Sequence, residues 1–80
     1  MTTLEFIKQL NEMGYKVNIS HKNISKYKTK ILISYKSAEH PHCWVFTDKQ
    51  YSFRALGANK QLFKLMVEYA NTDLDARGEW

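Results

Sequence analysis

The chain has 80 residues, a formal net charge of +4 and 44% hydrophobic residues, with 14% aromatic. This length suits one domain, and the apolar content excludes a disordered chain. Cys43 is the only cysteine, which excludes an internal disulfide and suits a reducing compartment. Charged residues interrupt the apolar ones near the N-terminus, so we expect neither a signal peptide nor a membrane span, and a cytoplasmic location.

The positive charge is concentrated in one part of the sequence. No Asp or Glu occurs between Glu12 and Glu39, whereas six lysines do, so the rest of the chain carries a net charge of −2. These six lysines are Lys16, Lys22, Lys26, Lys28, Lys30 and Lys36.

The first predicted element is a helix near the N-terminus. Thr2 and Glu5 have the spacing of a capping box, and Gly14 stands where a glycine commonly ends a helix. Between them, apolar residues recur at three- and four-residue steps, which predicts one apolar stripe along the helix. The stripe consists of Leu4, Phe6, Ile7, Leu10 and Met13.

Strands are predicted in the middle of the chain. Residues 15–21 and 29–36 alternate apolar with polar side chains, which predicts two half-buried strands joined by a polar connection at 22–28. Residues 43–48 predict a third strand that is apolar on both sides, so the pattern does not choose its buried face. Residues 51–55 form either a short fourth strand or an extended lead-in to the next helix.

A second helix is predicted after Asn59, a residue type that is preferred at helix N-caps. Its apolar stripe is Leu62, Leu65, Met66, Tyr69 and Ala70, with Phe63 and Val67 broadening it. Residues 72–80 form either one more capped turn or a frayed tail.

This order predicts a two-layer α+β domain, α-β-β-β(-β)-α, that spans residues 1–80 with an antiparallel sheet. Each helix has one apolar stripe, so we expect both helices on one face of the sheet. The other face would be open to solvent or to a partner. It would carry Lys16, Asn18, Ser20, Lys30, Ser34 and Lys36.

Catalytic and metal chemistry find little support in the sequence. Residues 39–43, EHPHC, include zinc-ligating residue types, but no second Cys/His pair occurs, and the neighbouring His42 and Cys43 would point to opposite faces of a strand. A cysteine beside a histidine can act as a nucleophile with its base, but a free strand cysteine is more often a core residue. We therefore expect a non-enzymatic protein without metal or cofactor.

Binding of DNA or RNA is the first functional hypothesis, because lysines on one sheet face attract phosphates and release counterions. Tyr27 could stack on a base, and Lys60 and Lys64 could add phosphate contacts at the start of the second helix. The candidate nucleic-acid-binding residues are Lys16, Lys22, Lys26, Tyr27, Lys28, Lys30, Lys36, Lys60 and Lys64.

Two other interpretations stay open. A protein-protein interaction module, or a small inhibitor of a host protein, would use apolar surface at Trp44, Phe46 and Trp80. Exposed apolar side chains on the third strand would also favour a homodimer over a monomer. In the plainest case, the lysines only keep an exposed sheet soluble.

Two resemblances add expectations. The order helix, three strands, helix resembles that of double-stranded-RNA-binding domains, and GANKQLFKLMVEYA stands where they carry a glycine and a lysine-rich helix start. That topology implies RNA contacts from the first helix and from the start of the second, where this chain has only Lys60 and Lys64. MTTLEFIKQLNEMGYKV and LMVEYANTDLDAR resemble uncharacterised phage and prophage proteins of lactic acid bacteria and their relatives, which implies a phage-derived accessory protein.

Overall fold

The computed structural model describes residues 1–21 and 28–79. These residues form two α-helices, four strands and a short 3-10 helix, which confirms the predicted α+β class. In chain order the elements are α1 (Thr3–Glu12), β1 (Tyr15–His21), β2 (Lys28–Tyr35), β3 (Cys43–Phe46), β4 (Phe53–Ala55), α2 (Lys60–Asn71) and the 3-10 helix (Leu74–Arg77).

The helix termini lie where the sequence predicts them. At α1, the Glu5 backbone N–H donates to Thr2 Oγ1 and the Thr2 N–H donates to Glu5 Oε1, each at 3.1 Å, so the capping box is complete. Gly14 follows the helix with φ +91°, a left-handed conformation that favours glycine. At α2, the Leu62 N–H donates to Asn59 Oδ1 at 2.8 Å, which confirms Asn59 as the N-cap.

The four strands form an antiparallel meander in the order β1-β2-β3-β4. The register places one residue from each strand in a row across the sheet: Asn18 pairs with Leu32, Leu32 with Trp44, and Trp44 with Arg54. Side chains in such a row lie on the same face of the sheet.

Both helices pack against the other face. Cys43 and Val45 are fully buried, so the structure chooses the face of β3 that the sequence pattern left open. No helix of the described residues is long and apolar enough to cross a membrane. The buried core consists of Phe6, Leu10, Tyr15, Ile31, Ile33, Cys43, Val45, Leu62, Leu65, Met66, Tyr69 and Ala70.

Five residues of the predicted helical stripes are not in this core, and two of them, Ile7 and Met13, are partly buried against it. Leu4, Phe63 and Val67 are 59%, 48% and 38% exposed, so these members of the apolar stripes do not belong to the buried part of their helices. Each follows a buried residue, and one step along a helix turns a side chain by about 100°. They therefore point away from the buried side of their helices.

The C-terminal segment is held by Arg77, whose side chain is only 2% exposed. Its guanidinium donates hydrogen bonds of 2.8–3.3 Å to five backbone carbonyls and lies 4.4 Å from the centre of the Tyr69 ring. Arg77 thereby fixes the backbone that connects β3 to β4. The five carbonyl oxygens belong to Phe46, Thr47, Lys49, Ala70 and Thr72.

Candidate nucleic-acid interface

The sheet face opposite the helices is the open face. Strand alternation and the cross-strand register assign its residues. The open face consists of Lys16, Asn18 and Ser20 from β1, Lys30, Leu32 and Ser34 from β2, Trp44 and Phe46 from β3, and Arg54 from β4.

Two half-buried aromatic rings stand at the centre of this face, and cations surround them. Lys30 Nζ lies 5.1 Å from the centre of the Trp44 ring and 5.4 Å from that of Phe46. Arg54 Cζ lies 5.0 Å from the Trp44 ring, and Lys49 Nζ lies 5.2 Å from the Phe46 ring. All four distances fall within the range of cation–π contacts. We call Lys30, Trp44, Phe46, Lys49 and Arg54 the aromatic–cation platform.

The register explains how one lysine reaches both rings. Lys30 pairs directly with Phe46 and is diagonal to Trp44, and long side chains bridge both separations. Arg54 pairs directly with Trp44 from the other side. Lys49 follows β3 in a turn, and its carbonyl accepts a hydrogen bond from the buried Arg77 at 3.3 Å. The platform is therefore built from three strands and one anchored turn.

The platform lies in a cationic setting. None of the four strands contains Asp or Glu, whereas β1, β2 and β4 together supply Lys16, Lys30 and Arg54 to the open face. Asp48, in the turn beside Lys49, is the acidic residue closest to the platform in sequence. Such a surface attracts polyanions at long range.

Aromatic rings beside cations can bind a nucleotide by exchange. An exposed cation over a ring contributes about 0.5–1 kcal/mol, whereas a base stacked on an aromatic ring contributes about 1–3 kcal/mol. A base can therefore replace the Lys30 ammonium on a ring while the ammonium moves to the phosphate. The same residue types that hold the platform together without a ligand would hold a nucleotide.

Lys16 and Lys36 were predicted on the open face and lie towards one corner of it. Lys16 Nζ donates to the Ala38 carbonyl at 3.1 Å, which brings the connection after β2 to this corner. Ser34, which pairs with Lys16, is accordingly only 2% exposed. Lys36 follows the end of β2 in a turn and is exposed. This corner is partly covered by the chain itself.

Two other predicted lysines, Lys60 and Lys64, do not lie on this surface. Lys60 and Lys64 are exposed on α2, in the helical layer, so the sheet separates them from the platform. Lys28 is the first residue of β2. Lys22, Lys26 and Tyr27 lie outside the described residues.

Sequence reasoning missed the composition of the platform. Trp44 and Phe46 were assigned to a possible protein contact, and Arg54 and Lys49 to no site. Alternation in β3 places Trp44 and Phe46 opposite Cys43 and Val45, but both sides are apolar and the pattern alone is symmetric. Only the strand register, which brings Lys30 and Arg54 beside Trp44, distinguishes the two faces.

The last two residues of the EHPHC segment, His42 and Cys43, pack against the fold, whereas the first three are exposed. The His42 ring stacks on Tyr35 with centroids 4.2 Å apart, and burial lowers the pKa of His42. Cys43 is fully buried with its thiol donating to the Leu56 carbonyl at 3.6 Å, and burial raises its pKa. The prediction of Cys43 as a core residue is confirmed. Within residues 1–21 and 28–79, no group of three or more His, Cys, Asp and Glu side chains could hold a metal ion.

No protein-family model, no curated protein and no solved structure matches the chain. The resemblances to phage-encoded proteins and to double-stranded-RNA-binding domains therefore stay predictions. The function has to be inferred from the geometry of the open face.

Proposed function

We propose that the protein is a non-enzymatic module that binds nucleic acid through the open face of its sheet. The observation that carries the proposal is the set of three cations within 5.0–5.4 Å of two aromatic rings on the face that the helices leave uncovered. Cations supply affinity for phosphates, and rings supply faces for bases.

The charge distribution supports a polyanionic partner. The two helices balance three glutamates with three lysines, whereas the four strands carry only basic charged residues. This charge distribution favours encounters in which the sheet, rather than the helical layer, faces the polyanion. The helical layer then faces away from the partner.

The resemblance to phage and prophage proteins supports a phage-derived accessory protein that acts on nucleic acid in the cytoplasm. The test of this origin is the gene's neighbourhood. We expect phage genes on either side, and an isolated chromosomal gene would contradict the inferred origin without affecting the binding proposal.

Binding is tested by titrating a labelled mixed-sequence oligonucleotide, as a single strand and as a duplex, over a series of salt concentrations. If binding neutralises about four phosphates, a plot of the logarithm of the association constant against the logarithm of the salt concentration should have a slope of about −3 for a single strand. Absence of binding at low salt would refute the proposal. Binding that does not respond to salt would favour the apolar surface of a protein-interaction module instead.

Matched variants locate the surface. Lys30→Gln combined with Arg54→Gln removes two platform cations, so the magnitude of the salt slope should fall by about 1.4 for a single strand. Lys60→Gln combined with Lys64→Gln removes the same charge from the helical layer and should leave the slope unchanged. Equal effects of the two double variants would show that only net charge matters.

A further inference from the structure

The spacing of the two platform rings points to a more specific ligand, and this step rests on the proposed function. We infer that the platform binds single-stranded nucleic acid and stacks two consecutive nucleotides, one on Trp44 and one on Phe46. The strand of nucleic acid would then run along β3.

The first argument is the distance between the rings. Trp44 and Phe46 are two residues apart on one strand, so they share a face and their Cα atoms are separated by about 6.8 Å. Successive bases in a duplex strand rise by about 3.4 Å, half of that separation. Consecutive bases therefore match the two rings only when they are unstacked and the nucleic-acid strand is extended.

The second argument is access to the bases. In a duplex, each base is covered above and below by its neighbours, so an aromatic ring on a sheet cannot lie on its face without unstacking it. A single strand offers both faces of every base. A duplex could use only the cations of the open face, and the two rings would contribute nothing to its affinity.

The third argument is the order of the cations along β3. Arg54 contacts the Trp44 ring, Lys49 contacts the Phe46 ring, and the Lys30 ammonium lies 5.1 and 5.4 Å from the centres of the two rings. This order matches three successive phosphates: one before the first nucleotide, one that joins the two nucleotides, and one after the second. Lys30 would contact the joining phosphate.

The test uses the intrinsic fluorescence of Trp44 in a Trp80→Phe background, where Trp44 is the single tryptophan. A thymidine oligonucleotide of about 12 nucleotides is compared with the duplex that it forms with its complementary adenine strand. We expect the single strand to quench Trp44 emission and to bind about 100-fold more tightly than the duplex, because each ring contributes about 10-fold to single-strand binding alone. Quenching is measured in a protein whose platform residues are unchanged, so the result does not depend on a platform variant that folds poorly.

Variants of the rings provide the second measurement. Trp44→Leu and Phe46→Leu should each weaken single-strand binding about 10-fold and leave duplex binding unchanged. The matched control is Phe63→Leu, which alters an aromatic residue that is 48% exposed on the helical layer and should change neither affinity. Single-strand binding without quenching, with equal duplex affinity, would overturn this inference and leave the proposed function standing. Failure of both oligonucleotides to bind would overturn the two together.

Discussion

The two arginines of the sequence, Arg77 and Arg54, occupy opposite kinds of site. Arg77 is 2% exposed, and its guanidinium donates five hydrogen bonds to backbone carbonyls. Arg54 is exposed, and its contact among the described residues is the ring of Trp44. Both guanidinium groups lie beside an aromatic ring, at 4.4 Å from Tyr69 and 5.0 Å from Trp44.

The difference shows that residue type does not determine which cation is available to a ligand. A guanidinium has five N–H donors, and in Arg77 five backbone carbonyls of the fold accept hydrogen bonds from it. Arg54 is exposed and so can contact a phosphate. Neighbouring residues repeat the contrast: Leu62 is buried beside the exposed Phe63, and His42 is packed near the exposed His40.

The largest expected effect comes from Arg77. Arg77→Met leaves buried carbonyls without their donor, so we expect the free energy of unfolding to fall by about 3–5 kcal/mol. Arg54→Met should change the same quantity by less than about 0.5 kcal/mol, because its side chain is exposed. Urea denaturation of both variants measures the difference. Similar losses in the two variants would contradict the assignment of Arg77 as a buried structural residue and Arg54 as an exposed one.

Leu62 and Phe63 give the second test. Leu62 is fully buried under the sheet, so Leu62→Ala should lower the free energy of unfolding by about 2–4 kcal/mol. Phe63→Ala should cost less than about 1 kcal/mol, because Phe63 is 48% exposed. The measurement is again urea denaturation. A larger loss at Phe63 than at Leu62 would contradict the orientation of α2.

The smallest effect is expected at His42. Burial lowers its pKa below the ordinary value of 6.5, so the unfolded state takes up a proton first as pH falls. The stabilising contribution of neutral His42 is therefore present above pH 6.5 and is lost as pH falls through the lower folded-state pKa. Melting temperatures measured between neutral and mildly acidic pH should depend less on pH in His42→Phe than in the wild type.

His40→Gln is the control for this pH dependence, because His40 is exposed in the connection before β3. It should keep the wild-type slope of melting temperature against pH. If His40→Gln flattens the slope and His42→Phe does not, the assignment of the buried histidine is wrong.

Much of the fold could be predicted from short-range pattern. Helix caps depend on residues three positions apart, and Thr2, Glu5 and Asn59 bond as their spacing predicts. The exposure of Phe63 and Val67 could not be predicted in this way, because the fraction of a helix surface that is buried depends on how far the sheet extends beneath it.

The site depended on long-range pairing. The sequence could place Lys16 and Lys30 on the face opposite the helices, because alternation in the first two strands is clear. The aromatic–cation platform joins residues from β2, β3 and β4, and only the register brings Lys30 and Arg54 to the same ring. A short strand that is apolar on both sides, such as β3, carries no pattern that would reveal this arrangement.

The central claim is that the open face binds nucleic acid. Its most direct test follows the Trp44 indole N–H resonance in a proton–nitrogen correlation spectrum while a thymidine oligonucleotide is added. We predict that this resonance and the Arg54 side-chain resonance shift as the oligonucleotide binds, whereas the Asn59 and Asn71 side-chain amides of the helical layer stay in place. Shifts confined to the helical layer, with Trp44 unchanged, would contradict the account.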